Sequence, residues 1–379
     1  MKLMIIIFLL CFSFINNNFK LNANVPLTTD AKSSILIEMN TKEVLHEYNA
    51  HEKLEPASIT KIVSLKLIFD ALNNKVIDLN DKLICSEYAA SMGGSQIYLF
   101  SGEEMKVHDL IKSVTIASAN DAVVCLAEKI AGTEENFVKM MNKEVEKLGL
   151  KNTNFVNCTG LPEDNHYTSS YDIAILASDL LINYKEQILK YTSIYEDYIR
   201  EDTKKFWLVN TNKMVKNIPG VDGLKTGWTN TAGYNVVTTK EENGMRLISV
   251  VMGCTSVQNR TKDTVSLLNY GFSNYEIIKL FSKGEVIKTI KKIKMDPEEL
   301  HIILTNDIYY LKKKSEKFSN VTYVVELEDY KINHYQTENI GKIIINIGDN
   351  KIESNLSIDT SIKKNNIFKL MNEIIKNIF

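Results

Sequence analysis

Ser58 and Lys61 stand three residues apart in the segment PASITK, at the start of an apolar stretch, IVSLKLIFDAL. Positions i and i+3 lie on one face of a helix, so the two side chains are expected to touch. A serine hydroxyl becomes a nucleophile when a base takes its proton, and a lysine becomes such a base when burial lowers its pKa. The pair therefore predicts covalent acyl transfer, with Ser58 as nucleophile and Lys61 as base.

A second motif, Ser118-Ala119-Asn120, lies 60 residues further on within the helical pattern IKSVTIASANDAVVCLAEKIAG. Its serine has the chemistry to relay a proton between Lys61 and a leaving amine. Its asparagine has both a donor and an acceptor with which to hold a substrate amide. The motif therefore adds the polar groups that an amide substrate needs beside the nucleophile.

A third motif, Lys225-Thr226-Gly227, introduces a predicted strand. Lys225 adds positive potential, and Gly227 allows a substrate backbone to approach closely. The backbone N–H groups of Ser58 and Trp228 are expected to form an oxyanion hole, where the loss of one donor typically costs roughly 2.7–4 kcal/mol. The three motifs together predict a site for acyl transfer from a peptide.

The three motifs match, in order, the S-x-x-K, S-D-N and K-T-G trio of penicillin-binding proteins and class A β-lactamases, with Ala119 at the middle of the second. The sequence resembles the serine D-Ala-D-Ala carboxypeptidases among the low-molecular-weight penicillin-binding proteins. This resemblance covers nearly the whole chain, and its further segments are GGSQIYLFSGEEM, FVNCTGLPEDNHYTSSYDIAILA and GVDGLKTGWTNTAGY. It implies an α/β (α+β) catalytic domain of the penicillin-binding-protein or β-lactamase type, with a sheet and a helical insertion, and a small C-terminal all-β domain.

The resemblance also implies a role for each motif residue. Trp228 stands where relatives carry His, Tyr or Phe, so only its backbone role in the oxyanion hole carries over. Arg260 matches an arginine that helps to bind the terminal carboxylate in relatives. The implied roles are Ser58 as acylated nucleophile, Lys61 as base, Ser118 and Asn120 in proton relay and substrate amide contact, and Lys225, Thr226 and Arg260 at the substrate carboxylate.

The expected partners are peptidoglycan stem peptides that end in D-Ala-D-Ala, and β-lactams that acylate the same serine. Action on peptidoglycan cross-links as an endopeptidase or transpeptidase remains an alternative. A β-lactamase is disfavoured because no Glu is followed four residues later by Asn between Asn120 and Lys225, so the Glu-x-x-Leu-Asn element is missing. A non-catalytic peptidoglycan-binding protein is disfavoured because such a protein does not require the lysine base.

The elements that must position these residues fall into two compositional regimes. Residues 24–280 predict the catalytic domain, and residues 281–365, with alternating runs such as GKIIINIGDNKI, predict the β domain. In the first regime we predict two strands around an Asn40-Thr41 turn and a buried strand at 244–254. The predicted helices run over 62–72, 107–131, 134–148 and 171–181.

The two ends of the chain predict export to a membrane surface. Lys2 followed by an apolar run over residues 3–15 fits a secretory signal, which we place at 1–23. Residues 366–379 predict an amphipathic helix that is too short to cross a bilayer but suited to lie in its surface. The alternative is a terminal helix packed on the β domain. The protein is therefore expected at the extracytoplasmic face of the cell membrane, held peripherally.

Composition excludes several other classes of protein. A net charge of −2 over 379 residues gives no basic surface for nucleic acid. The histidines and cysteines have no metal-ligand spacing, so we expect neither a metal nor a cofactor. The four cysteines beyond the signal are expected to be free buried thiols. His166 is read as local structure, and Asp172 and Asp222 as a helix cap and a support for the strand that carries Lys225.

Overall fold

The structure, a computed structural model, describes residues 27–200, 204–292 and 294–364. The predicted signal, 1–23, and the predicted terminal helix, 366–379, lie outside these residues. The strands of the N-terminal part are β1 Ser33–Glu38, β2 Val44–Tyr48, β3 Lys82–Ile84, β4 Glu104–Lys106, β5 Glu196–Ile199, β6 Phe206–Val209, β7 Val221–Thr229, β8 Gly233–Glu242 and β9 Met245–Cys254. Its helices are α1 Lys61–Asn73, α2 Glu87–Ala90, α3 Val107–Lys112, α4 Asn120–Ala131, α5 Glu134–Lys147, α6 Ser170–Thr192, α7 Met214–Asn217 and α8 Val257–Asn274.

An antiparallel sheet with the strand order β2-β1-β9-β8-β7 divides the N-terminal part into two hydrophobic cores. Successive side chains of a strand point to opposite faces, so Ile35 and Ile37 pack against the helical insertion while Leu36 packs on the other side with α8. Because both faces are covered, every residue of β9 is buried. This explains the continuous apolar run that predicted the strand.

The helical insertion lies against one face of the sheet. Helix α6 contacts β1, β7 and β9, and α1 packs against α6 and α4. A short 3₁₀ turn, Ala57–Thr60, precedes α1 and contacts both β7 and β8. The nucleophile candidate is therefore placed at the junction between helices and sheet, with α1 behind it and the edge strand β7 in front.

The predicted continuous helix over 107–131 is wrong. Helix α3 ends at Lys112, a wide π turn runs over Ser113–Ala117, and Ser118 has a left-handed backbone with φ 64° before α4 begins at Asn120. The apolar residues continue through the break, and their pattern therefore conceals it. Single π turns are often found at functional sites, and this one presents Ser118 and Asn120 at the start of a new helix.

The C-terminal part is all β apart from one short helix, as the sequence predicts. An antiparallel sheet has the order β11-β13-β17-β16-β15, and two smaller pairs are β10-β14 and β12-β18. Its elements are β10 Tyr275–Phe281, β11 Val286–Lys291, β12 Met295–Asp296, β13 Glu299–Leu304, β14 Ile308–Lys313, β15 Val321–Leu327, α9 Asp329–Asn333, β16 Gly341–Ile347, β17 Asn350–Ile358 and β18 Lys363–Lys364.

The two parts meet along β10 and β14. The predicted boundary between residues 280 and 281 falls inside β10, which pairs with β14. Leu311 of β14 is buried in the same core as Leu36 and Leu268 of the N-terminal part. Within the three described ranges, no helix combines the length and the apolar character that crossing a bilayer requires.

Candidate active site

Ser58 lies in the 3₁₀ turn that precedes α1, directly against the backbone of β7. A Cβ added at Gly227 would stand 2.8 Å from the carbonyl oxygen of Pro56 and 2.9 Å from the amide nitrogen of Ser58. A Cβ at Gly160 would stand 1.9 Å from the carbonyl oxygen of Ala57, and Gly160 has a left-handed φ of 85°. Glycines on two sides therefore allow the chain to close around the nucleophile.

Lys61 is fully buried beneath Ser58. Its Nζ lies 2.9 Å from Ser58 Oγ, 2.6 Å from Asn120 Oδ1 and 2.6 Å from the carbonyl oxygen of Thr159. The Asn120 amide is oriented by its Nδ2, which donates to the carbonyl oxygen of Gly93 at 2.7 Å. The first two motifs are thus joined through a single ammonium or amine nitrogen.

Burial disfavours the charged form of Lys61. It lowers the pKa of Lys61 to about 7, although Cys158 and Asp121 act in the opposite direction. Nζ donates to the oxygens of Asn120, Thr159 and Ser58. When the amine loses its proton, the two acceptor-only oxygens of Asn120 and Thr159 can keep both remaining N–H groups, which leaves the lone pair free to accept the proton of the Ser58 hydroxyl. The arrangement is compatible with a base beside its nucleophile.

Ser118 lies at the break between the π turn and α4, where it is buried. Its Oγ has no hydrogen-bond partner among the described residues. An unpaired buried hydroxyl is costly in a folded protein and is often found where function requires it. Its free oxygen suits the proton relay that the sequence predicts, because no internal bond has to break first.

Lys225 and Arg260 are buried basic side chains close enough to each other for their charges to interact, and Lys225 also lies within the influence of Lys61. Burial holds the pKa of Lys225 well below its usual range, and the positive charges of Lys61 and Arg260 lower it further. Burial also lowers the pKa of Arg260, whose Nε has no hydrogen-bond partner within the described part of the chain. A carboxylate that binds here would raise the pKa of both groups, since opposite charge favours the charged form.

Two neighbours of Lys225 on β7 complete the third motif. The hydroxyl of Thr226 donates to Thr211 Oγ1 at 2.7 Å, which ties β7 to the chain that follows β6. Trp228 is 53% exposed, and its ring lies 5.9 Å from that of Tyr234. Its indole therefore borders the site from the solvent side, while its backbone continues the edge strand past Ser58.

The sequence pattern did not reveal several residues that hold this arrangement. Asn235 donates through Nδ2 to the carbonyl oxygens of Glu55 and Pro56, directly before the 3₁₀ turn. Thr159 contributes a backbone carbonyl, for which side-chain motifs contain no signal. The segment GVDGLKTGWTNTAGY, which was part of the resemblance, ends at Tyr234, one residue before Asn235.

His166 connects the 3₁₀ turn Ala57–Thr60 to the loop that carries Thr159. The N–H of Val156 donates to Nδ1 at 3.0 Å, so Nε2 carries the proton and donates to Thr60 Oγ1 at 2.8 Å. Burial lowers the pKa of His166 to about 4, with Glu134 opposing this effect and Lys61 adding to it. The interpretation of His166 as local structure fits these contacts, and the structure places it next to the base.

The two aspartates have structural contacts. Asp222 lies in β7 and pairs with Arg246 at 2.9 Å, in agreement with its predicted support of the strand. The prediction that Asp172 caps its helix is wrong. Ser169 is the N-cap and accepts from the N–H of Asp172, whose carboxylate instead accepts from the N–H of Asn152. The segment SSYD contains three residues that can cap a helix, and Ser169 is the cap because it is the residue directly before the first turn.

The four cysteines within the described ranges are free and buried, as predicted: Cys85, Cys125, Cys158 and Cys254. Within the same ranges, no group of three or more His, Cys, Asp or Glu side chains is arranged to hold a metal ion.

Two protein families match the sequence. The family described as D-alanyl-D-alanine carboxypeptidase matches residues 20–256, and the family described as penicillin-binding protein 5, C-terminal domain, matches residues 275–365. D-alanyl-D-alanine carboxypeptidase DacF of Bacillus subtilis is 46% identical over 304 residues, which are 80% of this chain and 78% of that protein. The match extends across both parts of the fold.

Solved structures show the same likeness. Penicillin-binding protein 5 from Haemophilus influenzae superposes with a TM-score of 0.71 at 30% identity, over 88% of this chain and 98% of that one. Penicillin-binding protein D2 from Listeria monocytogenes, in its ampicillin-bound form, superposes with a TM-score of 0.58 at 31% identity, over 64% of this chain and 97% of that one.

Proposed function

The chain belongs to the D-alanyl-D-alanine carboxypeptidase family, peptidase S11, and we propose that it removes the terminal D-alanine from peptidoglycan stem pentapeptides through an acyl-enzyme on Ser58. The observation that carries this assignment is the buried Lys61 Nζ, which lies 2.9 Å from Ser58 Oγ and has a pKa lowered to about 7. A nucleophile and a base in contact are the minimum equipment for this chemistry.

In the first half of the reaction, Lys61 takes the proton of Ser58 as its Oγ attacks the carbonyl between the last two D-alanines. The backbone N–H groups of Ser58 and Trp228 receive the developing oxyanion. Ser118 passes its hydroxyl proton to the nitrogen of the leaving D-alanine and takes in exchange the proton that Lys61 received from Ser58. The C–N bond then breaks, and free D-alanine departs.

Lys225, Thr226 and Arg260 are proposed to bind the carboxylate of the terminal D-alanine, and Asn120 the amide of the residue before it. Gly227 leaves room for the substrate backbone beside β7. In the second half of the reaction, water attacks the ester carbonyl and regenerates Ser58. A β-lactam presents a carboxylate and a reactive amide in a similar arrangement and would acylate the same serine.

The assignment is tested on the purified chain without residues 1–23 and 366–379. Incubation with a stem pentapeptide ending in D-Ala-D-Ala, followed by mass spectrometry, should show loss of one alanine. Penicillin should block this loss, and Ser58→Ala should abolish both turnover and labelling by penicillin. Asp172→Asn serves as the control, because its carboxylate contacts lie away from the three motifs.

An unchanged pentapeptide together with penicillin-labelled Ser58 would overturn the carboxypeptidase assignment. A cross-linked dimer peptide should then be tried, because cleavage of that substrate defines an endopeptidase. If neither peptide were cleaved but both bound, the protein would be a peptidoglycan-binding protein.

We further propose that residues 1–23 direct export and that residues 366–379 hold the protein at the membrane surface. The support comes from the sequence: the apolar run at 3–15, and the apolar face that a helix over 366–379 would have, with Ile367, Leu370, Met371, Ile374, Ile375 and Ile378. Removal of 366–379 should release the protein from membranes without lowering turnover of a soluble peptide. A truncated protein that stays with the membrane fraction would contradict this anchor.

A further inference from the structure

Thr211 lies in the segment that follows β6, where its exposed side chain stands between two buried asparagines. Asn210 donates through Nδ2 to two carbonyl oxygens at and just beyond the end of α6, at 3.1 Å and 2.8 Å. Asn212 donates through Nδ2 to the carbonyl oxygen of Gly223, on β7, at 3.3 Å. Because both neighbours are fixed, Thr211 is an exposed hydroxyl on a rigid support.

Thr211 connects the second motif with the third. Its N–H donates at 3.1 Å to the carbonyl oxygen of Ile116, which belongs to the π turn and comes two residues before Ser118. Its Oγ1 accepts from the hydroxyl of Thr226 at 2.7 Å. The backbone of Thr211 is therefore bound to the turn that presents Ser118, and its side chain is bound to β7.

The contact with Thr226 places the Thr211 hydroxyl close to the nucleophile. Thr226 directly precedes Gly227, where an added Cβ would stand 2.9 Å from the amide nitrogen of Ser58. Thr226 also directly follows Lys225, and neighbouring Cα atoms of a chain are about 3.8 Å apart. A single hydrogen bond therefore separates Thr211 from the part of β7 that borders Ser58.

The hydroxyl of Thr211 has the free proton of this pair. A threonine hydroxyl has one proton to donate and can also accept. Thr226 donates its proton to Thr211, while Thr211 donates to none of the described residues. A hydroxyl that accepts a hydrogen bond is also polarised into a better donor. The pair therefore offers one O–H group to a ligand, and it is that of Thr211.

The charges beside this hydroxyl favour an anionic ligand group. Lys225 donates to the carbonyl oxygen of Thr226 at 2.9 Å. Arg260 donates to the carbonyl oxygen of Asn235 at 3.3 Å. In the described part of the chain, neither basic side chain forms a salt bridge with a carboxylate. A carboxylate from a ligand would supply the missing negative charge, and its second oxygen could accept from an O–H donor such as Thr211.

We propose that Thr211 donates a hydrogen bond to the terminal carboxylate of the substrate, and that Thr211 and Thr226 act on it as one unit. This inference rests on the proposed function, in which that carboxylate lies at Lys225, Thr226 and Arg260. Thr211 is then a further substrate-binding residue, although none of the three motifs contains it.

The test compares two β-lactams that differ only at the carboxylate, benzylpenicillin and its methyl ester. Thr211→Val removes the hydroxyl with little change in volume, and mass spectrometry follows acylation of Ser58. The acylation rate with benzylpenicillin should fall about tenfold to hundredfold, the range for one hydrogen bond to a charged group. The rate with the methyl ester should stay within about twofold. Thr211→Ser keeps the hydroxyl and should recover most of the benzylpenicillin rate.

Thr231→Val is the matched control. Thr231 is also exposed, and its hydroxyl donates to Glu55 beyond the other end of β7. The control loses a hydroxyl and a hydrogen bond in the same way, and the ratio of its two acylation rates should equal that of wild type. An equal loss with both β-lactams in Thr211→Val would mean that Thr211 only supports the fold. No loss with either would mean that its hydroxyl contacts no ligand. Each of these outcomes overturns the proposal.

A double variant tests whether the two hydroxyls act as one unit. If Thr226 acts on the carboxylate through Thr211, adding Thr226→Val to Thr211→Val should lower the benzylpenicillin rate by less than the product of the two single losses. Losses that multiply would show that the two hydroxyls act independently, and the coupled unit would be wrong.

A binding measurement separates this inference from the carboxypeptidase assignment. In a Ser58→Ala background, calorimetry measures the affinity for two pentapeptides, one with a free terminal carboxylate and one with a terminal carboxamide. Thr211→Val should weaken binding of the first peptide only. This result would support the role of Thr211 even if the wild-type chain proves not to release D-alanine. Equal effects on both peptides, or none, would rule out a contact between Thr211 and the carboxylate.

Discussion

At the scale of single residues, the proposed site depends on how burial lowers the pKa of Lys61 to about 7 in contact with Ser58. Two acceptor oxygens, from Asn120 and Thr159, fix the orientation of its amine. Neither factor alone would suffice. A buried amine without acceptors would be free to rotate, and an exposed amine with the same acceptors would stay protonated.

The charge state of Lys61 predicts a pH dependence. Because the neutral amine is the base, the rate of Ser58 acylation by a fluorescent penicillin should rise as pH increases through about 7, the pKa of Lys61. Lys61→Arg keeps a cation that does not lose its proton, so acylation should fall about 10²–10⁴-fold and lose this rise. Stopped-flow rates between pH 5.5 and 9 measure both effects. A wild-type rate that is flat across this interval would contradict the assignment of Lys61 as base.

His166 predicts a second pH effect, on stability. Its pKa is about 4 in the folded protein against about 6.5 in an unfolded chain. Between these values the unfolded chain binds more protons, so the free energy of unfolding should rise with pH across that window, by at most about 3 kcal/mol. His166→Asn keeps an acceptor for the N–H of Val156 but does not titrate.

The measurement for His166 is the melting temperature of both chains from pH 4.5 to 7.5. The difference between wild type and His166→Asn should shift in favour of wild type as pH rises and level off above about 6.5. Glu134 and Lys61, which face the ring, are unchanged in the variant. Parallel melting curves at all pH values would mean that His166 already titrates normally in the fold.

At the scale of elements, the active site is a contact between the 3₁₀ turn Ala57–Thr60 and the edge strand β7. The contact is close because Gly227 lacks a side chain where β7 passes Pro56 and Ser58. The oxyanion hole proposed for Ser58 and Trp228 depends on this spacing, since donors act only within a few tenths of an ångström of their best positions.

Gly227→Ala should therefore separate the two elements. The added Cβ would stand under 3.0 Å from backbone atoms of Pro56 and Ser58, which have no free rotation to move away. We expect penicillin acylation to fall at least tenfold and the free energy of unfolding to fall by about 1–3 kcal/mol. Gly93→Ala is the control, because a Cβ there has open space and no positive φ, and the backbone carbonyl that accepts from Asn120 Nδ2 is kept. Equal acylation by the two variants would show that the spacing is not critical.

The elements also show how much the sequence could predict. The strand pair β1 and β2, the buried strand β9 and helices α1 and α5 follow from hydrophobic period and turn residues. The break between α3 and α4 could not be predicted from the hydrophobic period, because apolar residues continue through the π turn. The family and the fold were predicted from a resemblance carried by the three motifs together with longer segments over nearly the whole chain. The contact between the Thr159 carbonyl and Lys61 could not be predicted from the sequence. A backbone group leaves no side-chain signature, and its position depends on how the loop folds.

At the scale of the whole molecule, the two parts share buried surface instead of meeting only at a linker. Leu311, on β14, is 6% exposed and packs with Leu36 and Leu268. Lys312, next to it, is buried and pairs with Glu276 of β10 at 2.6 Å. The β domain therefore contributes side chains to the core beneath the catalytic sheet.

Leu311→Ala should destabilise the catalytic part although the residue lies in the β domain. Removal of a buried leucine side chain typically costs about 2–5 kcal/mol. When urea unfolding is monitored by penicillin labelling of Ser58, Leu311→Ala should lose labelling at a lower urea concentration than wild type. Val324→Ala, at an exposed position of β15, is the control and should change the free energy of unfolding by less than about 0.5 kcal/mol. If both variants lost labelling at the same urea concentration as wild type, the two parts of the protein would unfold independently.

The four buried free thiols in the described part of the chain can report how often different regions of the fold open. Cys158 precedes the residue whose carbonyl holds Lys61, Cys85 and Cys125 lie in the helical insertion, and Cys254 ends the central strand. A thiol reagent reaches each of them only when its own region opens, so four labelling rates report four local opening equilibria in one unmodified chain. The labelling rate of Cys158, compared with and without bound penicillin, would measure how often the segment beneath the proposed site opens.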